Sequence, residues 1–264
     1  MLASLPRLDL LLWALSTLLT LALFCYILFG SKRSLFPLFA AYLGTNLLQT
    51  VLQLVVYQYY GTVAKFPYGL IWGSQAVVVT ARALSAAEFC RRVLGMYRGV
   101  WAVAWRILLF CGLLILTVAV YFGRDGMRLA VMTLDMGSEG FVATLAAGTF
   151  LFVRHYDVPM EWSEKLFGMG LTVYSGLKIV NDAIVTRYVH TYGHAWNEIG
   201  MVVFIGVVAL WMAAVHGTVG AGALKPATKP DDSEYRTLMP VINERLWQLD
   251  EQLSRFWNVE QLKP

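Results

Sequence analysis

Ionisable and amide side chains recur at helical spacing inside long apolar runs of this 264-residue sequence. Asp135 and Glu139 stand at i, i+4, so one helix face carries both carboxyls, with Ser138 beside them. Tyr174, Lys178, Asn181 and Asp182 fall at i, i+4, i+7 and i+8 and share a second face. Asn46, Gln49 and Gln53 make a third stripe, Gln75 and Arg82 stand two turns apart, and Asn197 and Glu198 open a further run. Carboxylates flanking one lysine neutralise it, and the surplus acid gives the group net negative character, as in a ligand or ion site. The plainer reading is a polar network that only holds helices together. Such interhelical hydrogen bonds are worth about 0.6–2 kcal/mol each, a small return for burying so many ionisable groups. Arg82, Glu88 and Arg106 form a separate inner polar group, near enough to one face to snorkel or pair locally.

Other spacings carry less. His190-x3-His194-x3-Glu198 would put metal ligands on one helix face, but Gly193 interrupts it and loop histidines are the simpler reading. His155 and His216 lie near the inner ends of different runs, a weak hint of paired haem ligands. Gly69-x3-Gly73 permits close helix approach, a spacing frequent by chance in membrane helices. Cys25, Cys90 and Cys111 lack paired spacing and read as small buried hydrophobes. A lysine in a small bundle invites a retinal Schiff base, but Lys178 lies in the sixth run and the last run has no lysine, which argues against a rhodopsin. No Walker loop, nucleophile elbow, HExxH or dinucleotide fingerprint is present. The expectation is a non-enzymatic protein with no metal and no cofactor.

Composition dictates what must position these groups. The sequence is 58% hydrophobic and only 14% charged, against roughly a quarter charged in ordinary soluble domains. Its apolar residues come in runs close to the roughly 20 residues that cross a bilayer. The expected fold is all-α: a polytopic bundle of seven transmembrane helices at about Leu8–Phe29, Leu35–Tyr60, Pro67–Cys90, Val100–Phe122, Arg128–Val153, Trp162–Arg187 and Ala195–Val215. The first run reads as a retained span, because no small-residue cleavage site precedes Lys32. A net charge of +4 points to positive-inside loops rather than nucleic acid. Lys32, Arg33, Arg91, Arg92, Arg98, Arg154 and Lys165 then face the cytoplasm, with the N-terminus outside and the C-terminus inside a bacterial inner membrane.

Residues 1–217 thus make the transmembrane domain, residues 218–238 a flexible linker rich in Gly, Pro and Ala, and residues 239–264 a cytoplasmic amphipathic helix. Ile242, Leu246, Leu249, Leu253 and Phe256 alternate at spacings of four and three, a seam fit for docking on the bundle, for a protein partner or for self-association. In this topology Asp135 and Glu139 lie about 11–17 Å below the outer surface, Lys178 about 13 Å and Asp182 about 7 Å. Gln53, Gln75 and Glu198 fall in the same outer half, so the candidate pocket opens outward. It comprises Asp135, Glu139, Lys178, Asn181, Asp182, Gln53, Gln75 and Glu198.

The LFPLFAAYL opening of the second run, AEFCRRVLGMYRG at the end of the third, FGMGLTVYSG in the sixth and the closing INERLWQLDEQLSRFW carry a resemblance. The chain resembles a family of uncharacterised seven-span bacterial membrane proteins of acidobacterial type, over most of its length. More remotely, its architecture is similar to the seven-helix sensor modules placed before bacterial histidine kinases. This sequence departs from those modules in carrying one short helix where they have a kinase. The resemblance implies a sensor or accessory protein in which a pocket binds a small molecule and the tail contacts a partner. A transporter or channel subunit and a structural subunit of a larger membrane complex are the competing expectations.

Overall fold

In a computed structural model, residues 7–29, 36–60, 65–95, 97–124, 126–156, 158, 160–217 and 244–256 are described, and among them every regular element is helical. The helices are α1 (Arg7–Phe29), α2 (Pro37–Tyr60), α3 (Lys65–Leu94), α4 (Arg98–Gly123), α5 (Met127–His155), α6 (Trp162–Gly217) and α7 (Glu244–Phe256). Among the described residues six segments are long and apolar enough to cross a membrane: Leu8–Phe29, Pro37–Val56, Gly69–Leu94, Arg98–Gly123, Leu129–His155 and Glu198–His216. Their outer faces are apolar where a soluble protein would be polar. On α4, Ile107, Phe110, Leu113 and Val120 are each more than half exposed, a surface suited to lipid.

The 56 residues of α6 are not one straight rod. The Trp211 indole N–H donates to the Phe167 carbonyl at 3.3 Å, 44 residues away, whereas a straight helix would separate them by about 66 Å. Tyr174 also meets Phe204, with ring centroids 5.4 Å apart. The element therefore has two antiparallel arms, and the chain reverses between Tyr174 and Phe204. Gly170 permits this closeness, and Gly168 permits that of α3. A Cβ at Gly168 would lie 2.5 Å from Phe89, and one at Gly170 would strike the Trp211 ring.

Sequential helices run up and down, with α5 packed against α3, α4 and α6, and α1 bridging α2 and α6. The starts of α2, α4 and α6 share one end of the bundle with α7; it is called the tail end below. Aromatic side chains fill that half. Phe39 lies 4.7 Å from Phe167 and 5.0 Å from Trp211, centroid to centroid, and Phe36 stacks on Phe167 at 5.0 Å. Offset and edge-on pairs of this kind add to the attraction of burial alone. Phe39, Phe89, Phe167 and Trp211 are all essentially inaccessible.

The tail segment is described over Glu244–Phe256, within the 239–264 expected to be helical, and it docks on the start of α4. Leu249 and Leu253 are half-buried there, and Leu253 packs against the core. The linker at 218–238, Ile242 and the side chains of Leu246 and Phe256 lie outside the described residues, as do those of Asp182, His190 and His194.

Candidate ligand-binding site

Helical periodicity brings the polar stripes together as three-helix contacts. α5 contributes Asp135 and Glu139 one turn apart, α3 contributes Gln75 and Arg82 two turns apart, and the first arm of α6 contributes Tyr174 and Lys178. The Asp135 carboxylate accepts from Lys178 Nζ at 2.7 Å, from Arg82 Nη2 at 2.7 Å and from Gln75 Nε2 at 3.2 Å. Gln49 of α2 extends the chain by donating to Gln75 Oε1 at 2.7 Å. Arg82 also forms an ion pair with Glu139, and its guanidinium lies 5.4 Å from the Tyr174 ring centroid. The Arg82 and Glu139 side chains are 2% and 0% exposed, against 12% for Asp135 and 23% for Lys178, so access to the network is through Lys178.

Two cations meet two carboxylates, and the formal charge of the quartet is zero. Arg82 removes the acid surplus expected around one lysine, and the Asp182 side chain lies outside the described residues. Arg82 differs from expectation as well. It joins Asp135 and Glu139, while Glu88 and Arg106 lie elsewhere: Glu88 accepts the Phe39 backbone N–H at 3.0 Å, and exposed Arg106 donates to the Ala102 carbonyl at 3.1 Å. The long guanidinium stem explains the shift, because it reaches a carboxylate well beyond its own Cα level. Gln53 and Glu198 are half-buried and have no part in the described network. Inside it, Glu139 meets Arg82 by charge and lies within reach of Ser175, while Arg82 Nε and Ser85 Oγ are buried without a directed hydrogen bond. Buried polar capacity of this sort is costly, so the network is not a fully closed structural lock.

Lys178 also forms part of the wall of a cavity of about 290 Å³ between α1, α2 and both arms of α6. From α1 come Trp13, Ser16, Thr17 and Thr20; from α2, Asn46, Leu47 and Thr50. Tyr174, Leu177, Lys178 and Asn181 line it from the first arm of α6, and Gly200, Met201 and Phe204 from the second. Of the pocket residues expected from sequence, Lys178 and Asn181 line this space, while Asp135 and Glu139 stand behind Lys178. The α1 wall was not foreseen. Its spacing of three, one and three residues is a legible stripe, but hydroxyls cost little in a membrane and gave no alarm. Among the described residues no three His, Cys, Asp or Glu gather as metal ligands.

At the tail end, carboxylates serve a different purpose. The first backbone N–H groups of a helix have no partner within it. Glu88 supplies one for α2 through Phe39. Asp250 of α7 does the same for α4, accepting from Gly99 N at 2.7 Å and Val100 N at 3.1 Å, where the N-cap residue Tyr97 makes no side-chain cap. A Cβ at Gly99 would stand 2.5 Å from the Asp250 carbonyl oxygen, so glycine permits the docking. Burial pushes the Asp250 carboxyl above its usual range, opposed by those two N–H bonds and by Arg98.

No family model, no curated protein and no solved structure matches the chain.

Proposed function

We propose that the chain is a non-enzymatic sensor or accessory protein of a bacterial inner membrane, in which the cavity beside Lys178 binds a small molecule from the outer side. Seven spans, an external N-terminus and a cytoplasmic tail make the cavity outward-facing, with the first arm of α6 as the remaining span. The observation that carries this reading is the double position of Lys178. Its side chain forms part of the cavity wall, and its ammonium holds Asp135, which holds Arg82 on a third helix. An occupant touching Lys178 therefore acts on the α3–α5–α6 contact, the kind of differential interaction that shifts a packing equilibrium. The packed rings of the tail half support a closed pocket over a through-path. The α7 helix, seated on the start of α4, is the element a cytoplasmic partner would compete for.

The test is mass spectrometry of small molecules retained after gentle purification from native membrane, comparing wild type with Lys178→Met. A molecule retained by wild type and lost from the variant supports the reading. Identical retention, or none from either protein, overturns it.

A further inference from the structure

Resting on that reading, we infer that the cavity takes an uncharged, ring-sized molecule carrying hydroxyl donors. The hydroxyl-lined part of its wall, on α1 and α2, is set to accept. A backbone carbonyl has no proton, so in each of its contacts with a hydroxyl the hydroxyl is the donor. Ser16 and Thr17 donate to the Trp13 carbonyl at 2.9 Å each, Thr20 to Ser16 at 2.7 Å and Thr50 to Asn46 at 2.9 Å. Each hydroxyl proton is thus committed within its own helix, and what remains for an occupant is the oxygen lone pairs.

Charge points the same way. Among the described lining residues Lys178 alone carries a charge at neutral pH, and Asp135 already opposes it within a quartet of zero net charge. An ionic occupant would add an uncompensated charge inside the bilayer, where charge is poorly solvated. A neutral one does not. Trp13 and Phe204 offer ring surfaces on two different helices, suited to the apolar body of the occupant. The volume of about 290 Å³ sits at the low end of small-molecule pockets, which run from roughly 300 Å³. A six-membered ring bearing hydroxyls fits this description, whether it arrives from water as a cyclic polyol or from the bilayer as a quinol.

The full chain in lipid nanodiscs would be titrated with myo-inositol, decylhydroquinone, benzoate and benzyltrimethylammonium, following the thermal midpoint and the dissociation constant. The expected result is that one or both hydroxyl probes raise the midpoint and bind at least tenfold more tightly than either ion. An inositol response identifies the aqueous source, and a hydroquinone response the membrane source. Thr17→Val and Thr20→Val together should weaken binding tenfold or more. Thr50→Val, on a different helix, should do the same and serves if the α1 variant fails to fold. Preference for benzoate or benzyltrimethylammonium overturns this ligand class while leaving a binding cavity in place. Silence from all four probes also overturns it, and the retention experiment then decides separately whether the cavity binds anything. Unchanged affinity in the threonine variants would place any hydroxyl probe elsewhere and overturn it as well.

Discussion

The two halves of the bundle use the same side chain in opposite ways. Away from the tail end, Asp135 and Glu139 are neutralised by the side chains of Arg82 and Lys178, partners that can rotate, exchange or be drawn off by an occupant. At the tail end, Glu88 and Asp250 accept backbone N–H groups of neighbouring helices, partners fixed by the helix itself. Beside Lys178 lies a cavity; around Glu88 lie stacked rings. A carboxylate bound to side chains is adjustable, and one bound to backbone is a fastener.

Removing Arg82 should break this contrast most severely. Arg82→Leu strands the buried Glu139 carboxylate and takes one of two cations from Asp135, and loss of one partner from a buried ionic group costs about 3–5 kcal/mol. Reversible unfolding in mixed micelles should show that loss, with much of it recovered when Glu139 is also made Leu, which leaves the Asp135–Lys178 pair in place. A cost below about 1 kcal/mol would mean that the quartet is solvated and not buried as described. Next comes the aromatic half. Gly170→Ala forces a methyl into Trp211, and overpacking of this kind costs about 1–3 kcal/mol in the same assay. If it is neutral, the rings are looser than their spacing indicates.

Glu88→Ala should cost about 0.5–2 kcal/mol, the worth of a helix cap, and should leave ligand retention intact. Lost retention would mean that the two halves are coupled through α3. The smallest effects belong to the tail. Gly99→Ala should expose α7 to protease at the Glu244–Phe256 segment while the thermal midpoint of the bundle hardly moves. Because the Asp250 carboxyl is raised when docked, its protonation favours docking. Protease protection should be fullest below the ordinary carboxylate range and should fall as pH rises through the raised value. Asp250→Asn keeps an acceptor oxygen without the charge and should flatten that profile. A profile rising with pH, or unchanged by the substitution, would sink the assignment.

Most of the helical framework is legible in residues alone, because long apolar runs have few other uses. The α1 bounds fall within a residue of the run that predicts them, and the stripes on α3, α5 and α6 follow from helical spacing of charged residues that are expensive to bury. Three features resist such reading. Arg82 is placed by the reach of its side chain, which depth along the helix axis does not include. The α1 wall is built of hydroxyls that satisfy themselves on their own backbone and leave no charge pattern. Asp250 reads as one more polar position on an amphipathic helix, and only the approach permitted by Gly99 reveals its partner. What spacing along one helix determines is visible in the sequence; what depends on a partner far along the chain is not.

The bond from Asp250 to the start of α4 also sets an order in time. A ribosome has made about 150 further residues after Gly99 before the carboxylate that completes that helix exists. During insertion α4 therefore begins with its first N–H groups unanswered, and they are answered only after both arms of α6 have been synthesised. Docking of the tail is in that sense a receipt for a finished bundle. A chain stalled or clipped before residue 250 would carry an open helix start that quality-control machinery can recognise.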